Sequence, residues 1–262
     1  MAWFGSAENS AGEISEWIED EGGIATGVVD IDDAGRIRAW AAPGRHESCP
    51  LIADPEQATT AVDALLPWLR EHGAVQVMTF GADRERTAAL ERHGLRHIRS
   101  SYTLARSADA PPLPTPHWPA GIDVAPYSLG DDDEAVHGLI YVEAAWASVP
   151  GHTYRDLNSW REAVRPGLRA LLARREEAPV GWVAGRILEG GRGYVSELAV
   201  ARSERGRGLG SALLLHGFAD LDAAGASGLA LDAEAANHEA LGLYRSIGLA
   251  VEREWCVYAD TP

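Results

Sequence analysis

A mixed α/β fold of the α+β type, built twice in tandem along 262 residues, is predicted by three observations. One order of elements occurs twice: a hairpin, a helix, a strand, a helix, a Gly-Leu step and a strand. Gly94-Leu95 answers Gly248-Leu249, an offset of 154 residues from 94 to 248. Between the repeats, Ala110-Pro-Pro-Leu-Pro-Thr-Pro-His-Trp-Pro119 holds five prolines in ten residues, which neither a helix nor a central strand tolerates. The chain is 46% apolar and 24% charged, an ordinary globular composition, and its length leaves room for two small cores. The expected division is 1–109, a linker at 110–119, and 120–262.

In the first half, Ile24–Ile31 and Ile37–Ala41 read as strands joined by the turn Asp32-Asp33-Ala34-Gly35. Apolar residues at helical spacing (Ala58, Ala61, Val62, Leu65, Leu66, Leu69) predict a helix over 55–72, stopped by Gly73 and kinked at Pro67. A strand (Val75–Phe80), a short helix (Arg84–His93) and a strand (Leu95–Leu104) follow. In the second half, Ile122–Tyr127 reads as a strand. Asp131, Asp132, Asp133 and Glu134 sit at the start of a helix expected to run to Trp146, where the helix dipole favours acids. Strands Leu168–Ala173 and Val180–Leu188 flank the turn at 176–179. The strand Tyr194–Val200, a Gly/Arg loop, a helix (Gly210–Ala223), a strand (Ser227–Leu231), a helix (His238–Ile247) and a strand (Val251–Tyr258) complete the chain.

All 23 basic residues are arginine, so a Walker-type phosphate lysine, a pyridoxal Schiff base and any lysine nucleophile are excluded. The net charge of −16 divides evenly, −8 on residues 1–118 and −8 on 119–262. Nucleic acid and anionic membrane are therefore not expected as partners, because both need clustered cations. Cys49 and Cys256 stand far apart without a Cys/His spacing suited to zinc, so no metal is expected, and two lone thiols fit a reducing cytoplasm. The start of the chain lacks a basic and then apolar leader pattern, and no 18-residue apolar run occurs.

The run from Val195 to Gly210, Val-Ser-Glu-Leu-Ala-Val-Ala-Arg-Ser-Glu-Arg-Gly-Arg-Gly-Leu-Gly, goes from strand through loop to helix. Glycines at 208 and 210 let the backbone approach closely, so the amides of about 206–211 can converge on an anion at the positive end of a helix. Arg205 and Arg207 add charge. A bare Gly-x-Gly fits a solvated turn equally well. Gly206-Arg-Gly208-Leu-Gly210 lacks the third spacing of a dinucleotide fingerprint. The context is more specific: Arg205-x-x-Gly208-x-Gly210, directly after the apolar strand Leu198-Ala199-Val200 and opening a helix, resembles the signature of the GNAT acyltransferase superfamily. Asn237-x-x-Ala240-x-x-Leu243-Tyr244-x-x-x-Gly248-Leu249 is similar to that superfamily's next motif and comes in the right order. The resemblance covers residues 121–260 well and residues 13–105 in topology only.

The resemblance implies two tandem GNAT-like domains with mixed, mostly antiparallel central sheets flanked by helices. It implies acetyl-CoA as co-substrate, its pyrophosphate held by Arg205, Gly206, Arg207, Gly208, Leu209, Gly210 and Ser211. It further implies that Leu198, Ala199 and Val200 present backbone N–H groups to the thioester oxygen and the pantetheine arm. It places a tyrosine at 244 beside the coenzyme sulfur, where it acts as general acid. Asn237, seven residues earlier on the same helical face, borders the same ligand or caps the helix. Glu197 is the carboxylate nearest the reactive strand and the candidate base, although a solvent-facing or arginine-paired acid fits it as well. Members of the superfamily carry their glutamate base at the position matched by Tyr194, and strict alternation would put 194 and 197 on opposite faces.

The acceptor, a small molecule with a primary amine, is expected against the helix around Tyr141–Trp146 and the stretch Pro150–Trp160, where aromatics and His152 are dense. The first half carries Ala41–Pro50 at the place of the phosphate loop and Leu90 at the place of Tyr244, so no coenzyme is expected there. That leaves it as scaffold, as one wall of the acceptor site, or as a homodimer surface. Two other functions fit the same residues: an acyltransferase using another thioester, carrier-bound or longer, and a non-catalytic module that senses acyl-CoA.

Overall fold

The computed structural model describes residues 28–31, 33, 37–41, 48–53, 58–73, 76–107, 110–148, 154–163, 167–188 and 190–260. Eleven strands are described: β1 (Val28–Ile31), β2 (Ile37–Ala41), β3 (Ser48–Ala53), β4 (Gln76–Phe80), β5 (Leu95–Arg106), β6 (Asp123–Pro126), β7 (Arg169–Arg175), β8 (Ala178–Ile187), β9 (Gly193–Val200), β10 (Leu229–Glu234) and β11 (Leu249–Asp260). The helices are α1 (Ala58–Glu71), α2 (Arg84–Arg92), α3 (Asp133–Gly138), α4 (Leu157–Ala163), α5 (Leu209–Ala223) and α6 (His238–Ser246). The chain folds into two compact units, each discontinuous in sequence. The first comprises Met1–Thr103 with Ala233–Asn237 and Val251–Pro262, and the second comprises Leu104–Asp232 with His238–Ala250.

In the first unit the strands run in the order β1-β2-β3-β4-β11-β5. Strand β3 lies parallel to β4, and β11 pairs antiparallel with β4, Trp255 opposite Phe80. The last strand of the chain thus completes the sheet of the first unit. Helix α1 supplies that unit's apolar layer with Ala61, Val62, Leu65, Leu66 and Leu69 and runs through Pro67. Cys49 and Cys256 are both buried there as free thiols, behaving as small apolar groups.

In the second unit the order is β10-β9-β8-β7-β6, antiparallel from β9 to β6 and parallel between β9 and β10. The proline-rich stretch 110–119 lies inside this unit, leading into β6. Strands β7 and β8 turn at Glu176 and Glu177, both with positive φ (50° and 69°), the primed geometry that matches strand twist. Helix α5 packs on one face of β8 and β9, its Leu209, Leu213 and Leu221 lying over Gly181 and Gly185, with Val183 against Gly217.

The helix expected to reach Trp146 stops earlier. Helix α3 opens at Leu139 into a π-helical turn (Leu139–Glu143) that ends with Ala144 N–H donating to the Leu139 carbonyl, five residues back, at 2.7 Å. Ala145 then leaves helical space at φ 54°. The acids at its start also do more than face a dipole. Asp133, 2% exposed, accepts from Arg161 Nε at 2.6 Å, and Asp132 pairs with Arg174.

Candidate active site

Strands β9 and β10 are in register only over Gly193–Val195, with Leu231 opposite Val195. Beyond that point β9 continues to Val200, paired with β8 alone: Glu197 opposite Ala184, Leu198 opposite Val183, Ala199 opposite Trp182 and Val200 opposite Gly181. Ala201 N–H donates to the Val180 carbonyl at 2.9 Å, which sets the phase of this ladder. By alternation, Ala199 bonds toward β8, while the N–H groups of Leu198 and Val200 point to the edge from which β10 has parted. Two backbone donors, not three, therefore face the opening. The carbonyl of Val200 on that side accepts from Arg205 Nε at 3.3 Å.

A β-bulge at Ser196 shifts the register between Ala184 and Gly185. Gly185 is needed here, because a Cβ would lie 2.7 Å from the Tyr194 carbonyl oxygen. The bulge changes parity. Tyr194 pairs with Arg186 and Glu197 with Ala184, so both lie on one face of the sheet, and the opposite-face expectation from simple alternation is corrected. That face is the one turned away from α5, toward the π-helical turn and α4.

After β9 the chain makes a 3₁₀ turn (Arg202–Glu204) and enters α5 through Gly206 and Gly208, with φ of 71° and 87°. Gly208 is the N-cap residue in left-handed conformation and has no side chain with which to cap the helix. Leu209, Gly210 and Ser211 thus carry first-turn N–H groups, which an α-helix cannot satisfy internally. A Cβ on Gly210 would touch Val200 and Leu243, at 3.6 and 3.8 Å, so the open edge of β9, the start of α5 and the middle of α6 meet around this residue. The loop is anchored by Glu204, 4% exposed, which accepts from Arg175 Nε and Nη2 at 2.9 and 3.0 Å. The pair holds the Glu204 carboxyl below the usual carboxylate range. Arg207 is exposed, with Nη1 3.6 Å from Glu204. Arg205 turns back instead and donates through Nη2 to the Ala144 carbonyl at 2.8 Å, fastening the loop to the end of the π-helical turn.

Glu197 accepts from the indole Nε1 of the buried Trp182 at 2.7 Å. Burial pushes its carboxyl up, while Trp182, Arg155 and Trp160 favour the charged form. Around it stand aromatic rings in mutual contact: His137 lies 4.8 Å from Tyr141, 5.8 Å from Tyr154 and 6.4 Å from Trp160, and Tyr141 is 5.0 Å from Tyr154. His137 Nε2 donates to the Arg155 carbonyl at 2.8 Å, which requires the proton on that nitrogen. Tyr154 is largely exposed, whereas Trp160 is buried and serves the core. Pro150–Thr153, including His152, and Ala42–Glu47 of the first half lie outside the described residues.

Tyr244 is 8% exposed on α6, and desolvation alone pushes its hydroxyl up to about 12. Asn237 is exposed just before α6, its N–H on the Glu234 carbonyl at 2.9 Å, and belongs with the first unit. Sequence reasoning missed Trp182, Glu204 and the Tyr127–Asp133–Arg161 cluster. Only Glu204 left a local sign, an acid set among the loop's arginines.

An opened parallel strand pair stands here beside a glycine-initiated helix, with an acid and a phenol on the same unit. Residues 139–249 match the model of the acetyltransferase (GNAT) family, and this region of the chain is a GNAT N-acetyltransferase domain. The chain is 25% identical over 267 residues to a mycothiol acetyltransferase of Thermomonospora curvata, covering 96% of this chain and 84% of that protein. Among solved structures, a GCN5-related N-acetyltransferase from Sphaerobacter thermophilus superposes with a TM-score of 0.77 at 24% identity, over 97% of this chain and 87% of that one. A tandem GNAT protein from the clavulanic acid biosynthesis pathway gives 0.65 at 14% identity, over 98% and 90%. These two likenesses show the fold: a mixed, mostly antiparallel sheet flanked by helices.

Proposed function

We propose that the second unit transfers an acetyl group from acetyl-CoA to a primary amine of a small molecule by direct attack. The parting of β9 from β10 after Val195, beside the left-handed Gly208 that opens α5, carries this reading. The first-turn amides of α5 suit a pyrophosphate, since a helix N-terminus combines free donors with a positive dipole end. The N–H groups of Leu198 and Val200 suit a thioester oxygen that gains charge during the reaction. Acetyl-CoA supplies an activated carbonyl whose C–S bond breaks as the C–N bond to the amine forms.

Glu197 takes the proton that the attacking nitrogen must lose. A lysine-like amine titrates near 10.4, so exposing its lone pair at neutral pH costs roughly 4–5 kcal/mol, and a carboxylate raised by burial is the better base for that step. Tyr244 gives a hydrogen to the departing sulfur and regains one from solvent. Its raised value keeps it protonated at neutral pH. Against a thiol of about 8.5 complete transfer is uphill, so most of its effect is the hydrogen bond to sulfur as charge develops. The mycothiol named in the relative makes that scaffold the first acceptor to assay. Thiol release from acetyl-CoA with a panel of primary amines tests the reading: release with at least one amine is expected. Tight binding of acetyl-CoA with no release for any amine would instead make the unit a sensor.

A further inference from the structure

We propose that Trp182 is a positioning residue for the reaction, its indole N–H aiming the Glu197 carboxylate at the acceptor while Tyr127, Asp133 and Arg161 hold the indole from behind. The inference rests on the reading of Glu197 as base. Trp182 is fully buried in the middle of β8, on the same sheet face as Glu197, and its Nε1 donates to Oε2 at 2.7 Å. The two oxygens of a carboxylate share a plane. Fixing one fixes the direction in which the other can accept a proton.

The indole is itself oriented. The Tyr127 ring meets it edge-on at 5.0 Å and 80°, and the Tyr127 hydroxyl donates to Asp133. Asp133 also accepts from Gly130 N–H at 2.9 Å and from Arg161 Nε at 2.6 Å. Three donors on one buried acid make a rigid node. Arg161 directly follows Trp160, whose buried indole N–H, without a well-shaped hydrogen bond of its own, adds a weaker pull on Glu197. Consecutive residues of α4 thus reach the acid node and the base, tying the acceptor-side segment to the reacting carboxylate.

Among the described residues, the groups facing Glu197 are Trp182 from β8, Trp160 from α4, Arg155 from the segment before α4 and Tyr141 from the π-helical turn. Arg186 and Tyr194 share its sheet face. Trp182 supplies the hydrogen bond, and Arg155 the nearby positive charge. Without the indole N–H, burial would act on Glu197 less opposed, and the carboxyl would hold its proton to higher pH.

The test uses the full chain with Trp182 replaced by β-(3-benzothienyl)alanine, which keeps the ring volume and removes only the donor, alongside Trp182→Phe. Infrared difference titration reads the protonated carboxyl of Glu197 without substrate, its band assigned by loss in Glu197→Gln. The midpoint is expected to rise by about one pH unit in the isostere, with the acid limb of kcat/KM moving equally and KM for acetyl-CoA unchanged. An unmoved midpoint while Glu197→Gln is inactive would overturn the role of Trp182 alone. A shifted midpoint with full transfer by Glu197→Gln would overturn the base reading and this role with it.

Discussion

Helix α2 of the first half and helix α6 of the second follow the same course and differ in their chemistry. Each has nine residues, follows a short strand and ends before a glycine with positive φ, 88° at Gly94 and 89° at Gly248. Each then feeds a twelve-residue strand. An offset of 154 residues places Leu90 on Tyr244, Arg86 on Ala240 and Asp83 on Asn237. In the first half, Asp83 caps its helix by accepting from Arg86 N–H at 2.9 Å. The Arg86 side chain, 1% exposed, turns inward to pair with Asp83 and donate to Thr79 Oγ1 at 2.9 Å. The second half has a methyl where the first has that guanidinium, and a phenol where the first has an isobutyl group. A repeated backbone plan can therefore carry different side-chain chemistry in its two copies.

The largest effect that could break this contrast is expected at the Arg205-x-x-Gly208-x-Gly210 loop, a motif that the sequence of the first half lacks. Gly208→Asp should abolish acetyl-CoA binding, lowering affinity at least about 100-fold, because it adds a carboxylate where a diphosphate would sit. Aspartate tolerates left-handed backbone and favours the N-cap position, so the fold should survive the change. Calorimetry on the folded variant decides: unchanged affinity would remove the loop from the coenzyme site. Tyr244→Phe comes next. Turnover should fall roughly 100-fold with KM for acetyl-CoA little changed, since the ring stays and only the donor goes. An undiminished rate would leave the phenol with no more chemical part than Leu90.

What could be read beforehand was local. Gly206, Gly208 and Gly210 after an apolar strand mark the strand-loop-helix crossing, because spacing along one segment is sufficient to encode it. The aromatic wall was legible through the density of Tyr141, Tyr154 and Trp160. Features that depend on a partner strand were not. The bulge at Ser196 exists only in the pairing of β9 with β8, so alternation along β9 alone misplaced Glu197 relative to Tyr194. Likewise, periodicity identified a strand near 251–258 but carried no information on its neighbour, and that strand lies beside β4. Arg205 was read as a cation for the coenzyme because charge is visible in sequence. That its guanidinium meets the carbonyls of Ala144 and Val200 depends on where the π-helical turn ends.

The first half offers a sharper test at Arg86, for there the interior charge is structural. Arg86→Met should lower the stability of the chain by about 3 kcal/mol in urea unfolding, since it strips a largely buried aspartate of its counter-ion. Acetyl transfer by the folded protein should stay within about two-fold of the parent rate, as the Arg86 guanidinium is buried within the first unit and bonded there to Asp83 and Thr79. A large loss of turnover at full folding would mean that the first half contributes to the chemistry and that the contrast between the helices is too simple.

The smallest expected effect concerns what keeps the second half's loop in shape. Glu204 is held below its ordinary value by the paired guanidinium of Arg175. A carboxyl lowered on folding contributes stability that is fully present above its unfolded value near 4.3 and is lost as pH falls through the lower folded one. Arg175→Gln removes that contribution at neutral pH, where Tm should drop by about 2 °C. Once pH has fallen through that lowered folded value the glutamate of the parent protein is neutral as well, so the two melting curves should approach one another. A gap of the same size at both pH values would trace the loss to the hydrogen bond from Arg175 to the Ala120 carbonyl, at 3.0 Å, instead of to the ion pair.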